Sequence, residues 1–204
     1  MIRLIKPYSD SLNKTMYEVI SFSEIKMSKG FPEGLLGNFL TDLIFNYLKT
    51  TLKFYADFSL QNNGGFRADI PAGAVTVKNV YEIMPFDNEL VILELDHKAM
   101  DALLRYISTG EAVSVSGIRF IIHKNGKNEA FINGLPIDST KSYLMATSDY
   151  LANGGSNMYF LKRCSRSNEP KIRIRDIEIA ALKEKYAAKQ NLNSKQDGRI
   201  RVVE

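Results

Sequence analysis

Apolar and polar positions alternate through residues 17–27 (YEVISFSEIKM), which predicts a strand with one buried face. Lys29-Gly30-Phe31-Pro32 interrupts that pattern, and Pro32 suits the start of a helix. Leu36, Phe39, Leu40, Leu43, Ile44, Tyr47 and Leu48 then recur at helical spacing, predicting an amphipathic helix over about 33–52. A short strand over 54–60 leads into a glycine-rich loop. Thr76 can cap a short helix that runs to about Ile83. Residues 89–95 read as an apolar strand, and 97–108 as a helix with Ala99, Leu103, Leu104 and Ile107 on one face.

The second half continues in the same mixed style. Residues 118–123 and 129–132 flank an N-G-K turn and read as a hairpin. Residues 143–147 form another strand, and 176–189 a last amphipathic helix opened by Asp176 as its cap. Between them the basic run 162–175 ends in K-I-R-I-R. Its alternation of charge with isoleucine predicts a strand with one solvated side, the alternative being a nucleic-acid face. Residues 191–198 are polar and read as a mobile tail. Strands and helices mix without a regular βαβ rhythm, so the expected class is α+β, mixed sheets with flanking helices. One domain over 1–204 is expected, its core about 17–190 and a polar tail about 191–204.

Composition narrows the function classes only a little. Hydrophobic residues at 45% and charged residues at 25% are ordinary globular values, and a net charge of +4 demands no nucleic-acid partner. The single cysteine, Cys164, cannot form an internal disulfide, so cysteine usage leaves the compartment open. No stretch approaches the roughly 20 apolar residues that span a bilayer, and the mixed segment 1–10, with Pro7, has no secretory-signal pattern.

Chemistry concentrates in three short segments. Residues 62–67 read N-N-G-G-F-R, followed by P-F-D-N at 85–88; residues 149–156 read D-Y-L-A-N-G-G-S. A glycine pair ending in arginine presents a guanidinium to an anion, with bidentate geometry that lysine lacks. From the residues alone, Arg67 fits either a phosphate site or a surface turn paired with Asp69. Phe86 and Tyr150 fit either the two faces of a base clamp or core aromatics, and Asn62 and Asn88 either ligand-reading amides or turn residues.

These motifs, in this order, resemble the C-terminal, substrate-binding domain of 5'-nucleotidases and UDP-sugar hydrolases. The resemblance rests on Glu33-Gly37-Asn38-Asp42, on 62–67, on Pro85-Phe86-Asp87-Asn88 and on 150–156, and covers about 17–160. It implies a nucleotide or nucleoside ligand held by Asn62, Arg67, Phe86, Asn88, Tyr150, Gly154, Gly155 and Ser156. Lys26 and Lys29 are added as phosphate-binding candidates. Two positions depart from the family pattern: Ser156 stands where an aspartate binds the ribose hydroxyls, and Gly30 where an arginine is usual. Glu33, Gly37, Asn38 and Asp42 are expected to pack and cap rather than bind.

The family's hydrolytic chemistry sits in a separate metallophosphatase domain with two metals. This chain offers only His97 and His123, neither in a suitable ligand motif, and both are expected at the surface. Cys164 lies among basic residues that would lower its pKa, yet without a histidine partner it reads as an inert thiol. The resemblance therefore implies no catalytic residue, metal or cofactor in this chain, with divalent metals expected in a partner phosphatase on a separate chain. No nucleic-acid partner and no membrane span are expected. It also implies a periplasmic or cell-surface protein. The alternative is a non-catalytic nucleotide-binding or interaction module with a partly decayed pocket.

Overall fold

The computed structural model describes residues 14–203, so the segment read as lacking an export signal, 1–10, lies outside the described residues. The first half runs β1 (Val19–Ser23), α1 (Leu35–Thr50), β2 (Phe58–Asn62), β3 (Gly73–Thr76), α2 (Val77–Ile83), β4 (Leu90–Leu95) and α3 (His97–Ser108). The second runs β5 (Val113–Ser116), β6 (Ile118–His123), β7 (Glu129–Ile132), β8 (Leu135–Pro136), β9 (Tyr143–Ser148), α4 (Asp149–Ala152), β10 (Ser165–Asn168), α5 (Ile174–Ala187) and β11 (Ile200–Val203).

A five-stranded mixed sheet, in the order β10-β4-β9-β2-β5, lies at the centre. Its alternating side chains feed two cores. Leu90, Ile92 and Ala146 pack under α1, α2 and α5, whereas Phe58, Val91, Leu93, Leu95 and Met145 pack against α3 and a second sheet. That second sheet has the order β11-β6-β7-β8, and β1 and β3 make a small antiparallel pair. The architecture is α+β with mixed sheets and flanking helices, as its strand and helix pattern predicts.

Beside this apolar packing, helix α1 meets β2 and β5 of the central sheet through polar contacts. Gly37 lies so close to β5 that a Cβ there would come within 1.8 Å of Ser114 Oγ. At that distance Thr41 Oγ1 donates to the Val115 carbonyl (3.1 Å) and Ser59 Oγ donates to the Thr41 carbonyl (3.2 Å). These buried groups pair with each other, which removes the desolvation cost of enclosing them.

Several boundaries differ from the pattern-based expectation, each for a local reason. Strand β1 ends at Ser23, whose hydroxyl turns the chain by donating to the Ile25 carbonyl (2.7 Å), and Met27 makes only an isolated bridge to Ile70. Pro32 stands ahead of α1 instead of starting it. The strand expected at 54–60 begins at Phe58, because Phe54 still donates its N–H to the Leu48 carbonyl behind α1 (3.1 Å). Helix α5 starts at Ile174, so Asp176 is not its cap but lies in its first turn, where the helix dipole favours an acid. The basic run forms only a short strand, Ser165–Asn168, and its last arginine, Arg175, is buried rather than solvated.

The largest correction concerns the tail. Residues read as mobile are strapped across the start of α1 by the buried Glu33. Its carboxylate accepts from Asn38 Nδ2 (2.8 Å) and from the Asp197 (2.6 Å) and Gly198 (3.4 Å) N–H groups, and its carbonyl accepts from Gln196 Nε2 (2.8 Å). Asn38 also donates to the Lys195 carbonyl (2.9 Å). Arg199 forks onto Asp42 (2.7 and 3.0 Å), a bidentate pair, after which β11 joins β6 in parallel. Polar composition hides this ordering, because backbone groups make most of the contacts.

Glu178 in α5 is fully buried, and neither carboxylate oxygen has a hydrogen-bond partner among the described residues. Burial pushes its carboxyl up to about 8 from an ordinary 4.5, against a smaller opposing pull from Arg175. The folded protein thus keeps the proton through a pH range in which the unfolded chain has lost it. The carboxyl costs nothing below about 4.5 and becomes steadily destabilising as pH rises toward about 8. Glu178→Gln should therefore gain stability over wild type with rising pH across that interval and level off above it. Urea titrations near pH 5 and pH 8 measure the gap; a gap independent of pH would refute the raised value.

Candidate functional site

Strands β2 and β9 run parallel, so both release their C-terminal loops at one edge of the central sheet. Strand β4 is antiparallel to β9 and therefore enters from that same edge. The glycine-arginine loop after β2, the P-F-D-N loop before β4 and the aromatic-glycine loop after β9 meet there as a consequence of topology.

The first loop is shaped by Asn62 and Asn63. Asn63 accepts from Ser114 Oγ at its side-chain oxygen (2.5 Å) and donates to the Gly30 carbonyl (3.2 Å), tying the loop to the start of α1. Asn62 folds over the glycines: a Cβ at Gly64 or Gly65 would lie 3.3 Å from its side chain. Neither glycine has a positive φ, so they are needed for closeness rather than for backbone freedom. Arg67 then projects from a backbone pinned by its N–H to the Ile83 carbonyl (2.8 Å).

The second loop is gripped from behind by Arg175. Its guanidinium donates to the Met84 (3.3 Å) and Phe86 (3.2 Å) carbonyls, pairs with Asp87 and lies 4.2 Å over the Tyr81 ring. The Asn88 carbonyl accepts from Ile174 N–H (2.9 Å), while its side-chain amide has no partner among the described residues. Phe86 and Tyr150 are thereby left at the surface, 36% and 46% exposed, and neither is a core aromatic.

Asp149 joins this loop to the third, its carboxylate accepting from the N–H groups of Glu89 (3.0 Å) and Tyr150 (2.8 Å). Gly154 has φ +87, and Gly155 lies against the Tyr150 ring, where a Cβ would come within 2.5 Å. Ser156 is held in a left-handed conformation, φ 51, by three hydrogen bonds. Asn62 Nδ2 donates to its hydroxyl (3.0 Å), its N–H donates to Tyr150 Oη (3.1 Å), and Tyr106 Oη donates to its carbonyl (2.7 Å). Such a backbone costs about 1–2 kcal/mol outside glycine and persists where neighbours over-determine it.

The site's electrostatics favour an anion. The Ser156 N–H and hydroxyl, and more weakly Arg67, hold the Tyr150 phenol below its ordinary range. Burial, then Glu111 and Tyr150, push Tyr106 up to about 12, so it stays protonated as a donor. Arg67 makes no ion pair among the described residues; its guanidinium lies 5.3 Å from the Phe86 ring centroid. Asp69 pairs with Lys26 (3.0 Å) and Ser28 (2.9 Å), which offset the burial that opposes its charge and hold its carboxyl low. Lys29 donates to the Phe66 carbonyl (2.9 Å), beside Arg67 in the chain.

The fold thus gathers Asn62, Arg67, Phe86, Tyr150, Gly154, Gly155 and Ser156 around one edge. Asn88 stands beside Phe86, Lys29 reaches the Phe66 carbonyl next to Arg67, and Lys26 reaches the Asp69 carboxylate. Gly30 has no room for a side chain, since a Cβ would lie 2.5 Å from the Glu33 carbonyl oxygen. Tyr106, Asp149 and Arg175 are the residues that sequence reasoning missed. Their partners lie far away along the chain, and no local spacing marks them. His97 pairs with Asp101 (3.3 Å) and His123 with Glu129 (2.8 Å). Burial pushes the Cys164 thiol up to about 11, against the lowering expected from its basic neighbours, and leaves it protonated. Among the described residues no cluster of His, Cys, Asp or Glu is placed to hold a metal, and no helix is long and apolar enough to cross a membrane.

The family described as 5'-nucleotidase, C-terminal domain, matches residues 16–163. NAD 5'-nucleotidase of Haemophilus influenzae is 33% identical over 144 residues, 60% of this chain and 23% of that protein. Protein UshA of Escherichia coli is 31% identical over 105 residues, 49% of this chain and 19% of its own. The crystal structure of the 5'-nucleotidase precursor of Thermus thermophilus superposes with a TM-score of 0.80 at 26% identity, covering 98% of this chain and 42% of that one. The chain therefore corresponds to less than half the length of these relatives.

The contact between Gly155 and Tyr150 is directly testable. Gly155→Ala should cost about 1–3 kcal/mol through overpacking against the ring, and Gly64→Ala, with its looser 3.3 Å contact, should cost less. Denaturant titration of both variants measures the difference; equal, negligible losses would show that the ring is not held there.

Proposed function

The chain belongs to the 5'-nucleotidase C-terminal domain family, and from that membership we propose that its loop edge recognises a nucleotide or nucleoside for phosphoester hydrolysis. In this reading Phe86 and Tyr150 stack on the base, and the amides of Asn88 and Asn62 orient it and its sugar. Arg67, assisted by Lys29 and Lys26, takes the phosphate. Gly154, Gly155 and Ser156 fix the Tyr150 ring and offer one hydroxyl on the sugar side. The observation that carries the reading is the placement of an unpaired guanidinium against an exposed aromatic ring, with a second exposed aromatic in electrostatic reach.

The chemistry itself is assigned to a metallophosphatase unit beyond these residues, carried on a separate chain in our reading. That unit would supply the metal chemistry that activates water, while this domain positions the substrate, a contribution of orientation rather than bond breaking. In the same reading, the protein works in the periplasm or at the cell surface, as its relatives' family suggests.

Calorimetry tests the recognition step. AMP should bind in the high micromolar range or weaker, and Phe86→Ala should lose about 1–3 kcal/mol; unchanged binding would remove Phe86 from the site. The chain alone should show no turnover of AMP or UDP-glucose with Mn²⁺, Co²⁺ or Zn²⁺. Metal-dependent hydrolysis that copurifies with it would overturn the assignment of chemistry to a partner.

A further inference from the structure

Arg175 sits in the first turn of α5, where the helix dipole disfavours a cation, so the helix itself gains nothing from it. Its buried guanidinium serves the neighbouring loop instead. It donates to the Met84 (3.3 Å) and Phe86 (3.2 Å) carbonyls, pairs with Asp87 and lies 4.2 Å over the Tyr81 ring. Those contacts hold the backbone from which the exposed Phe86 ring projects. The Arg175 Nε is buried and has no hydrogen-bond partner among the described residues. Three residues on, about 5–6 Å away on the same helix face, stands Glu178, fully buried and with both carboxylate oxygens unpartnered. Charged groups on the elements packed against this face are engaged elsewhere or exposed. Glu18 before β1 pairs with Lys183 (2.9 Å), Asp42 of α1 with Arg199 (2.7 Å) and Lys78 of α2 with Glu82 (3.6 Å). Lys49 of α1 is exposed, and the remaining titratable groups there are the phenols of Tyr47 and Tyr81.

We propose that Arg175 is a positioning residue that fixes the Phe86 ring through the loop backbone, and that the charge state of Glu178 governs this grip. The proposal rests on the reading of Phe86 as a base-stacking ring. While Glu178 is neutral, the guanidinium acts on Asp87 and the two carbonyls without a rival. Once Glu178 ionises, its carboxylate competes for the same guanidinium from the buried side, where the Nε–H has no other acceptor. Burial sets the point of change, pushing the carboxyl up to about 8 against a smaller opposing pull from Arg175. Below that value the loop is gripped. Above it the guanidinium is drawn inward, and the Met84 and Phe86 carbonyls lose their donor. The Phe86 side of the site is thus ordered at neutral pH and loosened in alkali, by two buried residues that never touch the ligand.

The chain contains no tryptophan, so Phe86→Trp places a single fluorescent reporter at the ring position. Its emission anisotropy should be high at about pH 7 and fall with a midpoint of about 8. Adding Glu178→Gln should keep the anisotropy high to about pH 9. Adding Arg175→Lys instead should lower it already at about pH 7, because an ammonium cannot reproduce the fork, while far-UV circular dichroism stays native. A merely structural role would lower melting temperatures in these variants and leave the anisotropy of the folded state unchanged, which overturns the proposal. A fall of equal size with Glu178→Gln present overturns it too. Should Arg175→Lys fail to fold, the comparison with and without Glu178→Gln still decides. Calorimetry with adenosine on the chain without the reporter then tests the site. Binding should weaken about threefold or more from about pH 7 to about pH 9 in wild type and hold steady in Glu178→Gln. Absent or pH-independent adenosine binding, beside the expected anisotropy pattern, upholds the grip and removes Phe86 from the base site.

Discussion

The parallel pairing of β2 with β9 is the constraint on which the site depends. Only Phe58 with Met145 and Ser59 with Ala146 form the ladder, yet those two rungs set the direction of both strands and hence the edge at which their loops emerge. Side chains reinforce so short a contact. Asp57 accepts from the Leu144 N–H (2.7 Å), the Asp57 N–H donates to the Leu144 carbonyl (2.8 Å), and Thr147 Oγ1 donates to the Leu60 carbonyl (2.8 Å). Antiparallel pairing here would send Arg67 and Tyr150 to opposite ends of the sheet.

Charge is distributed around this edge with the same economy. The nearby carboxylates each have a structural partner: Asp69 holds Lys26, Asp87 holds Arg175, and Asp149 caps two backbone N–H groups. The loops are therefore braced by acids, yet the exposed Arg67 guanidinium makes no ion pair among the described residues. An opposite charge a few ångströms away would stabilise Arg67 in place and cancel the positive potential at this edge.

Much of the fold was legible because its signals were local. The face of α3, the N-G-K hairpin and the Thr76 cap all follow from spacing within a few residues, and each appears where expected. The aromatic pair was legible only as an ordered set of motifs, since an isolated Phe86 reads as core. What escaped depends on distant partners. The tail looks mobile because its order comes from backbone N–H groups reaching a carboxylate 164 positions away along the chain. Arg175 looks solvated because the carbonyls it satisfies belong to a loop about ninety residues earlier. Strand β3, Gly73–Thr76, carries too few side chains to announce itself and forms because β1 needs a neighbour.

Ser156 has a consequence for how such a site drifts over evolutionary time. Its left-handed backbone is held by three different side chains, two of them tyrosines. The position therefore admits small polar residues and glycine far more readily than β-branched ones. Its identity can change only through a narrow set of replacements, each of which alters the side-chain bond to Asn62 while sparing the two tyrosine bonds to the backbone. The chemistry of the loop surface is thus separable from stability at this one residue, and lineages can retune the former without first rebuilding the scaffold.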